Sequence, residues 1–237
     1  MLQSKMKKPF IIGLVLLMST ISHLSGQSFW FGPKIGAGLN FQRWNDFSPN
    51  PLLQPSYDFF LESYAEESSS SLFMNVGYHV RGSGIRAFTF QGDFFGNQGF
   101  KFKNAVLEVG GKRFVTQDKK INPFYMIGLR AEYNLGTNLQ DYERFLNPFY
   151  PHNDFVRKLV YGASIGGGFE YNISEFYRGF IEISLAPDFA NQYFQPPINN
   201  IIDPYTGQKI SLQERQIKNT SLEIRAGFKF LRKVIYE

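Results

Sequence analysis

Residues 32–42, GPKIGAGLNFQ, alternate almost without a break. Pro33, Ile35, Ala37, Leu39 and Phe41 fall on one face, and Gly32, Lys34, Gly36, Gly38, Asn40 and Gln42 on the other. Successive side chains of a β-strand point to opposite sides, so a period of two marks a strand with one apolar and one polar face. The period returns along the chain. Leu72, Met74, Val76, Tyr78 and Val80 oppose Asn75, Gly77, His79 and Arg81, and Phe88, Phe90 and Phe94 oppose Thr89, Gln91 and Asp93. Ala105, Leu107 and Val109 oppose Glu108, Gly110 and Lys112. Tyr125, Ile127, Leu129, Ala131, Tyr133 and Leu135 oppose Gly128, Arg130, Glu132 and Asn134. The last three segments set Tyr161–Tyr171, Ile181–Leu185 and Leu222–Phe230 against Glu170, Glu182, Glu223, Arg225 and Lys229. Eight candidate strands result, an even number.

A soluble β-sandwich also alternates, but its strands run about 5–6 residues, and several of these run about 10–13. The connections also differ in kind. RGSGIR, VTQDKKIN and NISEFYR read as short turns, whereas 44–70, 136–158 and 187–218 read as longer loops, with GNQG at 96–99 a tight hairpin on their side. Short turns at one end and longer loops at the other is the arrangement of an outer-membrane barrel, periplasm against exterior. No segment has the roughly 20 apolar residues of a spanning helix, so a chain of this kind enters a membrane as a closed barrel. The expected fold is therefore all-β, an eight-stranded antiparallel up-and-down transmembrane β-barrel.

Residues 1–26 read as a cleaved signal peptide: basic Lys5, Lys7 and Lys8, an apolar run over 10–18, then Leu24-Ser25-Gly26. Residues 27–237 form the barrel domain. Those three lysines carry much of the +5 formal charge, so the basic balance gives no footprint for nucleic acid. Cysteine is absent, which excludes disulfides, thiolate metal sites and thiol catalysis. Aromatic residues make up 17% of the chain, as belts at two membrane interfaces require. Phe29, Trp30, Phe31, Phe124, Tyr125, Tyr171, Tyr177, Phe228 and Phe230 fall near the periplasmic strand ends, with Phe41, Trp44, Phe94 and Tyr133 near the outer ones.

The polar face carries Lys34, Arg81, Asp93, Glu108, Lys112 and Arg130, then Glu132, Glu170, Glu182, Glu223, Arg225 and Lys229. Eight strands enclose just enough room for side chains to fill, and an unpaired buried charge is expensive, so these residues are expected to form a lumenal plug of ion pairs. Lys101 and Lys103 fall on the apolar face; either they reach the headgroups or a bulge near Asn104 switches the register. The long loops are the expected place for function: Phe59, Phe60 and Tyr64 in the first, and Tyr193 and Phe194 in the last, either anchor a partner protein or surface glycan or fold back as a lid over the barrel mouth. His152 with Asp154 and Asp141 is the best catalytic constellation available, but loop residues of these types are mostly solvated surface. No catalytic, cofactor or metal residue is assigned, and no enzyme is expected.

GPKIGAGLNF, NAVLEVGGKRF followed by INPFYMIGLRAEYNLG, YGASIGGGFEYNI, FIEISLA and SLEIRAGFKFL occur in the order of one family. In these segments the chain resembles the small outer-membrane β-barrels of Bacteroidetes, called PorT-like or porin-family proteins. It departs at Glu108-Val109-Gly110, where the usual pattern has Pro after the acid. The resemblance implies outer-membrane location and contact with its lipid. Some members of the family serve type IX secretion and gliding, so other membrane or secretion-complex proteins are implied partners. The expected function is a structural or interaction role; the alternatives are a narrow passive pore and, third, a loop-borne hydrolase.

Overall fold

The computed structural model describes residues 28–45, 48–64, 68–88, 94–116, 119–143, 151–203 and 206–234. The signal segment 1–26 and Asp93 lie outside them. Eight long strands form the barrel: β1 (Phe29–Trp44), β2 (Asn50–Ser63), β3 (Ser70–Phe88), β4 (Phe94–Phe114), β5 (Ile121–Thr137), β6 (Leu159–Asn172), β7 (Tyr177–Pro187) and β11 (Arg215–Arg232). Each pairs antiparallel with its neighbour in sequence, and β1 pairs with β11 from Phe29↔Arg232 to Trp44↔Ile217, which closes the cylinder. Three short strands lie in the last connection: β8 (Tyr193–Gln195) extends the sheet along β11, while β9 (Ile198–Ile202) and β10 (Lys209–Leu212) form a separate two-stranded hairpin.

The strand number matches the sequence expectation, but two of the strands differ. Residues 50–63, read above as loop, are β2, paired with β1 on one side and β3 on the other. Pro51 and Pro55 disguise it. A proline cannot donate to a ladder and sits in sheets at edges or bulges; here the β2–β3 register breaks between Pro51 and Ser56. RGSGIR, read as a turn, continues β3 to Phe88, and GNQG lies inside β4, with Gly84 opposite Gly99 and Ala87 opposite Gly96. Gly82 serves close approach rather than a turn: a Cβ there would sit 2.3 Å from the Phe100 carbonyl oxygen. Ala87 and Phe88 thus pair with Gly96 and Phe94 as the outer ends of β3 and β4, and 72–81 runs from periplasm to exterior, opposite to the direction its assigned neighbours imply.

With these changes the short connections collect at one end, between Ser63 and Ser70, Phe114 and Ile121, and Asn172 and Tyr177. The long ones, Thr137 to Leu159 and Pro187 to Arg215, are at the other, with the shorter β1–β2 and β3–β4 connections. The first end is periplasmic and the second external.

The exterior is apolar through its middle: Ile35 is 62% exposed, Ile127 63% and Leu129 70%, with Tyr161, Ile183 and Ile224 continuing the band on other strands. An open apolar surface on every strand is what a bilayer covers. No helix among the described residues is long and apolar enough to cross a membrane. The protein is an outer-membrane barrel, in contact with lipid around its circumference. Trp30, Trp44 and Phe124, assigned above to the belts, point inward instead and are buried. The β4–β5 register shifts between Lys103 and Asn104 because β5 carries an extra residue there; Lys103 stays exposed and Asn104 buried, so the face of β4 does not switch.

Candidate functional site

Among the described residues, charged and polar side chains concentrate in the lumen. Every Asp and Glu in the described parts of the barrel strands points into it, because alternation fixes one face against lipid and leaves the other for charge. At the periplasmic floor, Lys229 of β11 donates to Glu170 of β6 at 2.5 Å and to Glu62 of β2 at 3.3 Å. Lys112 of β4 bridges the same two carboxylates, at 3.3 Å to Glu62. Phe124 lies 3.8 Å below the Lys112 ammonium, and Trp30 is stacked by Arg178 at 4.6 Å, so aromatic faces supply the contacts that water would.

At the waist, Arg225 reaches Glu182 at 2.7 Å, Glu108 at 3.3 Å, Glu223 at 3.5 Å and Asp58 at 3.8 Å. Lys34 donates to Glu182 at 2.8 Å. Asn75 and Ser164 donate to Glu108, and His79 bonds Asp58 at 2.9 Å. Gly36 makes room for Arg225: a Cβ there would lie 2.6 Å from the arginine Cγ. Above the waist, Arg81 holds Glu132 and Glu223, each at 2.6 Å, and Arg130 holds Asp188 at 2.6 Å and Glu132 at 3.0 Å. Ser221 and Asn104 complete the shells of these groups.

The outer mouth is closed by a different chemistry. Trp44, Phe100, Phe102, Leu139, Tyr193 and Ile217 form a buried apolar cluster, with Phe155 and Val156 packed against it. Tyr193 donates to Gln195 at 2.8 Å and accepts from the His152 backbone N–H at 3.1 Å, which ties the two long loops together over the mouth. A cavity of about 20 Å³ remains among Lys34, Glu62, Asn75, Lys112 and Glu182, about enough for one water.

Eleven of the twelve residues named for the lumen are buried there in this network, and Asp93 is outside the described residues. Reading the first loop as a loop left out Asp58 and Glu62, and Asp188 lies one residue past β7. The alternation of Ser56, Asp58 and Glu62 against Tyr57, Phe59 and Leu61 was the available signal, broken by Phe60 pointing inward.

The five residues named for partner contacts are scattered. Phe59 is 50% exposed on the lipid face of β2, and Phe60 is buried in the lumen. Tyr64 meets Trp30 edge-on at the periplasmic end, at 5.9 Å between rings. Tyr193 is buried under the mouth, and Phe194 lies 5.3 Å from the Arg157 guanidinium. Phe59, Phe60 and Tyr64 are therefore not an external loop surface, because β2 draws them into the wall. His152 Nδ1 and Asp154 are 3.3 Å apart at an exposed turn, and no described contact joins Asp141 to them. Among the described residues, no group of three or more His, Cys, Asp or Glu could hold a metal ion.

This geometry, a closed wall of eight strands with an apolar exterior and a charged interior, defines a small outer-membrane β-barrel. No protein-family model matches the sequence, and no curated protein matches it. Among solved structures, the chain is similar to the outer membrane protein OprG from Pseudomonas aeruginosa, with a TM-score of 0.55 at 6% identity over 88% of this chain and 97% of that one. Neisserial surface protein A follows at 0.47 and 8%, covering 85% and 96%. Ail, the attachment invasion locus protein of Yersinia pestis, is at 0.41 and 10%, covering 85% and 99%, in a complex with the heparin analogue sucrose octasulfate. The likeness to OprG is one of fold.

Proposed function

We propose that this barrel is a structural and interaction protein of the outer membrane whose lumen is a plug and not a path. The observation that supports the reading is the pair of ion-pair clusters that fill the lumen, Lys112 and Lys229 with Glu62 and Glu170 at the floor and the set from Lys34 to Arg130 above it, under an apolar lid. A solute path through eight strands needs that network displaced, and breaking buried pairs is costly. Planar-bilayer recording of the purified protein tests it. No steady conductance is expected, and a reproducible ohmic step would favour the narrow pore.

Export by a cleaved signal over 1–26 belongs to the same proposal, with the mature protein starting near Gln27. So does a role as accessory to a cell-surface or secretion complex of the kind that Bacteroidetes barrels serve. The exposed β9–β10 hairpin supports that role, because its strands pair only with each other and Ile202 is 65% exposed. Strand edges of this kind accept a partner strand. Site-specific crosslinking from position 202 in intact cells checks it; adducts with lipid alone would refute the accessory role.

A further inference from the structure

The barrel sorts charge by sign. In the described strands, outward-facing side chains include Arg43, Lys101, Lys103 and Lys218 toward the external end and Arg113 and Arg232 toward the periplasmic end, and no carboxylate. One pair stands out at the seam. Arg43 of β1 and Lys218 of β11 are directly opposed in the register, and both are exposed. Like charges directly opposite across two antiparallel strands repel, with Cβ atoms about 4.5–5.5 Å apart. Neither side chain has a hydrogen-bond or ion-pair partner among the described residues. The neighbouring Glu214 accepts from Gln216 instead, and Asn45 bonds the backbone at Glu214 and Gln216.

The pair sits one outward step above Phe41 and two above Leu222, the upper edge of the apolar band. That level is where the headgroups of the outer leaflet begin. Two cations held together there by the sheet form a site for a dianion: guanidinium offers a planar fork that suits phosphate, and ammonium adds a point charge.

We propose that Arg43 and Lys218 bind a phosphate of a phosphorylated glycolipid in the outer leaflet, flush with the barrel wall. This goes beyond the interaction role above and rests only on the membrane orientation. Lys103, outward on β4, gives the same leaflet a second contact on another side of the barrel. Each basic side chain near an anionic lipid surface is worth about a fivefold change, so losing the pair should weaken retention of the lipid by about 30-fold.

The test uses the protein extracted from outer membranes and reconstituted in three kinds of vesicle: phosphatidylcholine alone, with added lipid A, or with added dephosphorylated lipid A. The readout is the temperature at which the folded, fast-migrating gel band converts to the unfolded one. Lipid A should raise that temperature for the wild type, and dephosphorylated lipid A should not. The double variant Arg43→Gln with Lys218→Gln should lose the rise while matching the wild type in phosphatidylcholine, and Arg113→Gln at the opposite rim should keep it. An equal rise in the double variant, or no rise in the wild type, would overturn the proposal. An equal rise with phosphatidylglycerol in place of lipid A would overturn the glycolipid as the ligand. Failure here leaves the plugged lumen untouched, since conductance reports on that separately.

Discussion

Arg225 is the strongest lever on the lumen. Its guanidinium meets four carboxylates, two of them within 3.3 Å, and its side chain is 1% exposed. Arg225→Met keeps much of the volume and removes the charge. The lumen holds the carboxylates of Asp58, Glu62, Glu108, Glu132, Glu170, Glu182, Asp188 and Glu223 against the cations of Lys34, Arg81, Lys112, Arg130, Arg225 and Lys229, with Arg178 near the floor. Acids already outnumber fully buried bases, so the variant leaves Glu108 without a cationic partner within 4 Å and Asp58 with His79 alone. Breaking a buried pair by removing one partner costs about 3–5 kcal/mol, and a cation shared by four acids belongs at the upper end. Urea unfolding in phospholipid vesicles reads the loss. Trp30 at the floor and Trp44 under the mouth report from the two ends of the barrel. Adding Glu182→Gln should recover more than about 1 kcal/mol, since neighbours in one ionic network couple by about 0.5–3 kcal/mol. A loss below about 1 kcal/mol for Arg225→Met, with no recovery in the double variant, would refute a dry plug, because water that screens the carboxylates makes the arginine dispensable.

Other positions test the wall. Leu129, 70% exposed near the middle of β5, should tolerate Ala but lose about 2–4 kcal/mol on Leu129→Arg in folding from vesicles, whereas Lys103→Leu should be near neutral. Phe59 decides whether 50–63 is strand or loop: Phe59→Asp should abolish the heat-modifiable band, and a loop residue would tolerate it. Gly36→Val places a Cβ 2.3 Å from the Ile224 carbonyl oxygen and against Arg225; a loss of about 1–3 kcal/mol is expected in the same urea assay.

The lumen was legible in the sequence wherever the period of two ran unbroken. Lys34, Glu108, Arg130, Glu182 and Arg225 each sit between two apolar residues that face lipid, and a one-residue slip would put all of them into the bilayer. The first strand pair after β1 was hidden for two physical reasons. Pro51 and Pro55 imitate a loop because they lack N–H donors, yet β2 loses regular pairing with β3 only between Pro51 and Ser56. Gly82 and Gly84 imitate a turn, although Gly82 is small because the Phe100 carbonyl and Leu52 press on it. The two misreadings cancelled in the strand count but inverted the segment around His79. Closure of the mouth was one of the two readings the long-loop aromatics offered, and Tyr193 takes it; its packing with Leu139 was not legible, since no local period announces a contact between two loops.

A lumen full of ion pairs answers a constraint set before folding. A strand apolar on both faces would suit a filled barrel as well, and well-packed apolar residues often match or exceed buried ion pairs in stability. Such a chain would, however, cross the periplasm as a series of long apolar runs, which favour insertion as helices or aggregation as strands. Placing Asp, Glu, Lys and Arg at alternate positions keeps the mean hydropathy at −0.24 while leaving the lipid face intact. The same charges then specify register, because Lys34 finds Glu182 and Arg81 finds Glu132 only in one alignment of strands far apart in sequence. Ion pairs that add little net stability can still select one barrel among many slipped ones. In the plug proposed above, the cost of that device is a lumen too crowded to conduct, and the two rims and the outer wall are then the surfaces left for contact with other molecules.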